Sequence, residues 1–266
     1  MNESETMLHQ LLNIGECMLS SGGEVNRVED TLSRMGRAYG AIHMNVFVIT
    51  SSIIVTMTMP DGTECTQVRR ILSSGNTDFL KLERLNHLSR CYCAAPTSPA
   101  ILQSNFEKIN NALPDRIVTY LGSMLAAGSF AMFFGGTFAD GIAGAFSAIL
   151  ICLLQDLLGP LCKNKISFNL MCALITGMII CLIGRLFSFV HIDEIMIGDI
   201  MLLIPGIAMT NSIRDILIGD TISGIMRFIE TLVWSGALAV GFMGAILLIG
   251  GCLLYTSPSP RDPKTS

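Results

Sequence analysis

From Ile117 to Leu254 the chain is almost continuously apolar, and charges interrupt it at only a few points. A bilayer core of about 30 Å takes about 20 apolar residues as a helix. Five stretches meet that length: Ile117–Phe134, Phe138–Leu158, Phe168–Phe187, Ile195–Leu217 and Val233–Leu254. Thr221–Leu232 is amphipathic, carries Arg227 and Glu230, and reads as an interfacial lead-in to the fifth span. The chain has 266 residues, of which 51% are hydrophobic and 14% charged, against about 25% charged in an average soluble domain. Most of the Lys and Arg fall in residues 1–116, so the composition breaks near Pro114. The expected fold class is an α-helical membrane protein: a five-helix transmembrane bundle (117–254) with a small N-terminal α+β soluble domain (1–116).

Within residues 1–116, apolar spacing predicts a helix over Glu5–Leu19, stopped by Gly22-Gly23, and a second from Glu24 to Gly40. Two segments rich in β-branched residues, Asn45–Thr50 and Ile53–Met59, predict strands. Pro60-Asp61-Gly62 signals a hairpin turn, and a third strand runs over Thr63–Ile71. Ser73-Ser74-Gly75-Asn76 reads as a loop. Asp78 is placed to cap a helix through Cys93, and a last helix follows Pro99 to Asn111.

Positive charge orients the spans. Arg116, Lys163, Lys165, Arg214 and Arg227 all fall on the side of the N-terminal domain, so that domain is expected in the cytoplasm and the end of the fifth span outside. The net charge of −4 leaves no basic footprint for nucleic acid. The polar N-terminus is not a secretory signal. Nine cysteines are scattered without zinc spacing and read as small buried hydrophobes. His9, His43, His87 and His191 make no motif, and Ser51-Ser52 has no recognisable base. No metal, cofactor or enzymatic activity is expected.

Chemistry concentrates in the fourth span. Pro205-Gly206 lies in its middle, where a missing backbone donor and a loosened turn break a helix. A broken span exposes a positive dipole end that can meet a carboxylate. Asn211 and Asp215 lie one turn apart on one face, and Asp199 sits nearer the start of the span. Ionisable groups within spans are expensive and mark polar paths, although Asp215 could also sit in interfacial water. Arg185 suits snorkelling or carboxylate binding, Asp156 is similarly ambiguous, and Asp140 suits a helix start. Spans one and two are dense in small residues, among them Gly128, Gly141 and Gly144, which suits close helix packing. In the soluble domain, Ser21-Gly22-Gly23-Glu24 has the spacing of a capping box.

Two segments resemble signatures of the threonine/serine exporter family. The first is Gly22-Gly23-Glu24-Val25-Asn26-Arg27-Val28-Glu29-Asp30; the second joins Leu203-Ile204-Pro205-Gly206 to Asn211, Asp215, Gly219-Asp220 and Arg227. The resemblance covers residues 5–254 and implies a proton-gradient-driven secondary exporter of small hydrophilic metabolites in a bacterial inner membrane. Full-length members carry about ten spans, so the chain resembles the split form, in which a smaller membrane subunit supplies the rest. Such systems export threonine/serine-type amino acids or a dicarboxylate such as succinate. An oligomeric assembly is expected. On this reading Pro205, Gly206, Asn211, Asp215, Asp220, Arg227, Asp199 and Arg185 bind substrate or couple ions. Gly22, Gly23, Glu24, Arg27 and Glu29 form the soluble-domain motif. The alternative is a regulatory or hydrolytic domain on a membrane anchor, but an anchor needs no Pro-Gly break and no polar residues in its fourth span.

Thr256–Ser266 is Pro/Ser-rich and too polar to pack, so disorder is expected there. The string from Tyr255 to Asp262 resembles a translated adapter sequence, which would make 255–266 foreign to the natural chain.

Overall fold

The computed structural model describes residues 3–71, 77–113, 115–159, 161–162, 164–187 and 189–250. The 73–76 loop, the break at Pro114, Lys163 and the 255–266 tail lie outside the described residues.

The chain forms two compact units: the N-terminal residues through Leu113 with Gly206–Glu230, and Pro114–Pro205 with the chain from Thr231 onward. The first unit opens with α1 (Glu3–Ser20) and α2 (Val25–Tyr39). A meander follows, β1 (His43–Ile49), β2 (Ser52–Thr58) and β3 (Glu64–Arg70), antiparallel in the order β1-β2-β3. Then come α3 (Phe79–Ala94) and α4 (Pro99–Asn110). Each element expected in 3–113 is present within a few residues. The sheet buries one face, through Ile53, Val55 and Met57 of β2, against Leu8, Leu11, Leu32 and Met35 of the first two helices. The Asp78 side chain accepts from the Lys81 N–H at 2.9 Å, the cap expected for α3.

The glycine pair between α1 and α2 closes α1 by its backbone. Gly22 has φ 93°, and the Gly23 N–H reaches back to the Met18 carbonyl at 2.9 Å, a Schellman arrangement. A Cβ on Gly23 would lie 2.7 Å from that carbonyl. The capping-box expectation at Ser21 does not hold. Glu24 itself occupies the N-cap of α2, with no side-chain cap hydrogen bond.

The second unit contains α5 (Arg116–Phe133), α6 (Phe138–Leu158), α7 (Lys165–Leu186) and α8 (Ile192–Leu203). The expected fourth span is broken. Ile204 is extended at the end of α8, and α9 (Gly206–Ile218) begins directly after Pro205. At 1.5 Å per residue neither half spans a bilayer of about 30 Å. Beyond it, α10 (Thr221–Ala245) is one continuous helix followed by a π-helical stretch over Ile246–Gly250. The expected lead-in and fifth span are therefore a single element. Among the described residues four helices are long and apolar enough to cross a membrane: α5, α6, α7 and Thr221–Ile249. The protein is a multi-pass membrane protein by these helices; the two halves of the expected fourth span are each too short to be among them.

Small residues let α5, α6 and α8 meet backbone to backbone. A Cβ on Gly128 would lie 2.6 Å from the Gly141 carbonyl, and one on Gly198 would lie 2.6 Å from the Ala127 carbonyl. Their role in this unit is close packing. Cys152, Cys172 and Cys181 are buried as small hydrophobes, whereas Cys91 is exposed on α3.

Candidate functional site

In the first unit, the two segments singled out in the sequence meet. The Gly22 turn presents its carbonyl to the Asn211 side chain, which donates from Nδ2 at 3.3 Å. Glu24, freed from capping, accepts from the Arg214 guanidinium at 2.6 Å. These contacts join positions 189 and 190 residues apart.

One turn beyond Asn211 on α9, Asp215 is buried and paired with Arg227 of α10 at 3.2 Å. The approach depends on two glycines. Gly219, at φ 108°, ends α9, and the Asp220 N–H returns to the Asp215 carbonyl at 2.9 Å. Gly224 then lets α10 pass α9, since a Cβ there would lie 2.8 Å from the Ser212 carbonyl. Arg227 follows one turn later.

Glu29 lies on α2, where its Oε1 accepts the Val48 N–H of β1 at 2.8 Å. Burial holds its carboxyl above the usual range; the Val48 hydrogen bond opposes that shift, and nearby Asp220 adds to it. Asp220 thus joins the cluster through charge. Arg27 is exposed on α2, and among the described residues its guanidinium makes no ion pair. The cluster alternates carboxylates with guanidinium groups, the chemistry that matches a small zwitterion or a carboxylate.

The second unit holds the other expected residues separately. Arg185 is exposed and donates to the Ile249 carbonyl at 2.5 Å. Asp156 accepts from the Tyr120 hydroxyl at 3.1 Å and lies 3.8 Å from Arg116. Asp140 starts α6 in a capping box with Thr137, as expected, and does more. Its carboxylate also accepts the His191 backbone N–H at 2.7 Å and faces the His191 ring at 2.9 Å. That hydrogen bond and the negative charge raise the His191 pKa. Sequence reasoning missed His191 because its partner lies 51 residues away, and no local spacing marks the pair. Asp199 of α8 is completely buried. Among the described residues no group of three or more His, Cys, Asp or Glu side chains could hold a metal ion.

The model of the threonine/serine exporter family matches residues 9–249. The chain belongs to that family. A threonine/serine exporter from Corynebacterium glutamicum is 24% identical over 244 residues, which cover 86% of this chain and 48% of that protein. The chain therefore spans about half the length of this exporter relative. No solved structure matches the chain. The family match takes in both signature segments, and with them the Gly22–Asn211 and Glu24–Arg214 contacts.

Proposed function

We propose that the chain is one subunit of a secondary exporter that moves small hydrophilic metabolites outward on the proton gradient. The substrates are threonine/serine-type amino acids or a dicarboxylate such as succinate. On the resemblance to the split form, a smaller membrane subunit carries the remaining spans, within an oligomeric assembly. On this reading α8 and α9 together form a broken fourth crossing, giving five. The domain at 1–113 faces the cytoplasm.

One observation carries the reading. Asn211, Arg214 and Asp215, from a broken apolar segment, assemble with Arg227 of α10 and with Gly22 and Glu24 into a cluster of opposed charges. A plain anchor has no use for such a cluster, whereas a transporter needs polar groups of this kind to bind a charged solute. The start of α9 just after Pro205 supplies a positive dipole end for a substrate carboxylate. Asp215 or Asp199 carries the coupling proton, with Arg214 or Arg227 as counter-charge.

The test is export from cells loaded with threonine, serine or succinate, expressing this chain alone or with a candidate partner of four or five spans. Export of one substrate class that requires both proteins is the expected result. No export of any of them under either condition overturns the reading.

A further inference from the structure

Asp199 lies two turns into α8 with 0% of its surface exposed, and among the described residues neither carboxylate oxygen has a hydrogen-bond partner. Three other buried side-chain atoms share this condition among the described residues: Gln10 Oε1, Asp215 Oδ2, which has Arg227 as its ion-pair partner, and the Thr176 hydroxyl of α7. Ser147 of α6 lies beside Asp199. Its hydroxyl donates to the Gly144 carbonyl at 2.9 Å, which leaves the oxygen's lone pairs free. Cys172, one turn before Thr176 on α7, also lies near Asp199, with Cys152 of α6 close by. These thiols are the titratable neighbours; no Lys, Arg or His of α5, α6 or α7 acts on Asp199 among the described residues.

We propose that Asp199, with Thr176 and Ser147, forms the proton-binding site of the helix bundle. The proposal rests on the exporter reading above and chooses between its two candidate carriers. Asp215 has a counter-charge in Arg227, 3.2 Å away. Asp199 has none. An ionised carboxylate buried without a partner is far more costly than a neutral carboxyl in the same place. Asp199 therefore holds a proton while the bundle excludes water, and it loses that proton to water on the side to which the site opens. A hydroxyl can donate to either form, and the oxygens of Thr176 and Ser147 can accept from the protonated one. A sodium ion fits less well. Sodium sites in transporters draw on unwound backbone carbonyls, and α8 is regular from Ile192 to Leu203.

The test is infrared spectroscopy of the full chain in lipid nanodiscs, with carbon-13 in the aspartate carboxyls. The wild type at neutral pH should show a protonated aspartic acid band that shifts with the label. Asp199→Asn should abolish it, and Asp193→Asn, in the exposed first turn of α8, should keep it. Saturating sodium should leave it in place. A wild type without the band, or a band erased by sodium, overturns the proposal. Should Asp199→Asn fail to insert, Thr176→Val must move the band, and an unmoved band overturns the shared site. The spectrum does not depend on transport: a band without export rejects the exporter reading alone, and export without a band rejects the site alone.

Discussion

Arg227 reaches Asp215 at 3.2 Å with only 13% of its side chain exposed, against 2% for the carboxylate's side chain. A pair this dry is sensitive to removal of either partner, because the remaining charge stays buried. Losing one member of such a pair costs about 3–5 kcal/mol, whereas losing both costs far less. Asp215→Asn should therefore lower the thermal unfolding midpoint and abolish export. The double substitution Asp215→Asn with Arg227→Gln should recover most of the midpoint but not the export. A double variant no more stable than the single one would show that the pair is not coupled.

The Glu24–Arg214 pair is of a different kind, because its guanidinium is largely exposed. Exposed pairs contribute about 0–1 kcal/mol, so Glu24→Gln should barely change stability. Its role is to hold the Gly22 turn and α9 in register. Glu24→Arg and Arg214→Glu should each depress export, and the exchanged pair should restore part of it. Export depressed further in the double variant than in either single one would show that the charges act separately.

Glu29 has a raised carboxyl pKa, so its folded form disfavours the charged state. Its favourable contribution is complete below the unfolded value near 4.5 and is lost as pH rises through the higher folded value. Glu29→Gln keeps an acceptor for the Val48 N–H and removes the titration. The variant should gain stability over wild type between pH 4 and pH 7, by thermal unfolding in detergent. A constant difference across that range would remove Glu29 from the pH response.

Gly198 has no room for a side chain, since a Cβ would lie 2.6 Å from the Ala127 carbonyl. Overpacking of this kind costs about 1–3 kcal/mol. Gly198→Ala should lower the unfolding midpoint. Gly122→Ala, where nothing lies within 4 Å of the added carbon, should leave the midpoint unchanged or raise it.

A reporter fused after Leu254 should be active outside the cell membrane, and one fused ahead of Met1 should be active inside. Cytoplasmic activity at both ends would reject the five-span arrangement and favour four.

Local order was legible in the chain wherever a short-range rule governs it. Apolar spacing found α1 and α2, Pro60-Asp61-Gly62 placed the turn between β2 and β3, Asp78 capped α3, Pro99 opened α4, and Pro205-Gly206 broke the fourth span. The site was legible only as a set of residues. That Asn211 seeks the Gly22 carbonyl, or that Arg214 seeks Glu24, follows from packing between segments far apart, and no periodicity carries it. Ser21 misled for a related reason. Its spacing to Glu24 fits a cap, but the two intervening glycines satisfy the end of α1 by backbone alone, and Glu24 turns to Arg214. The isolation of Asp199 depends on which side chains three helices turn toward it, which a hydropathy pattern does not record.

The bond from Glu29 to the Val48 amide has a consequence for how copies of this domain behave in a crowded cell. Val48 lies on an outer strand of the sheet, and a strand amide that reaches a helix side chain points away from its paired neighbour. Such a donor is what an intruding chain would use to add itself as a further strand. Glu29 occupies it with a carboxylate, which also repels any backbone carbonyl that approaches. On the opposite margin, β3 ends in Arg69 and Arg70. Glu29 on one margin and the exposed Arg70 on the other are charges of the kind that disfavour the addition of a further strand.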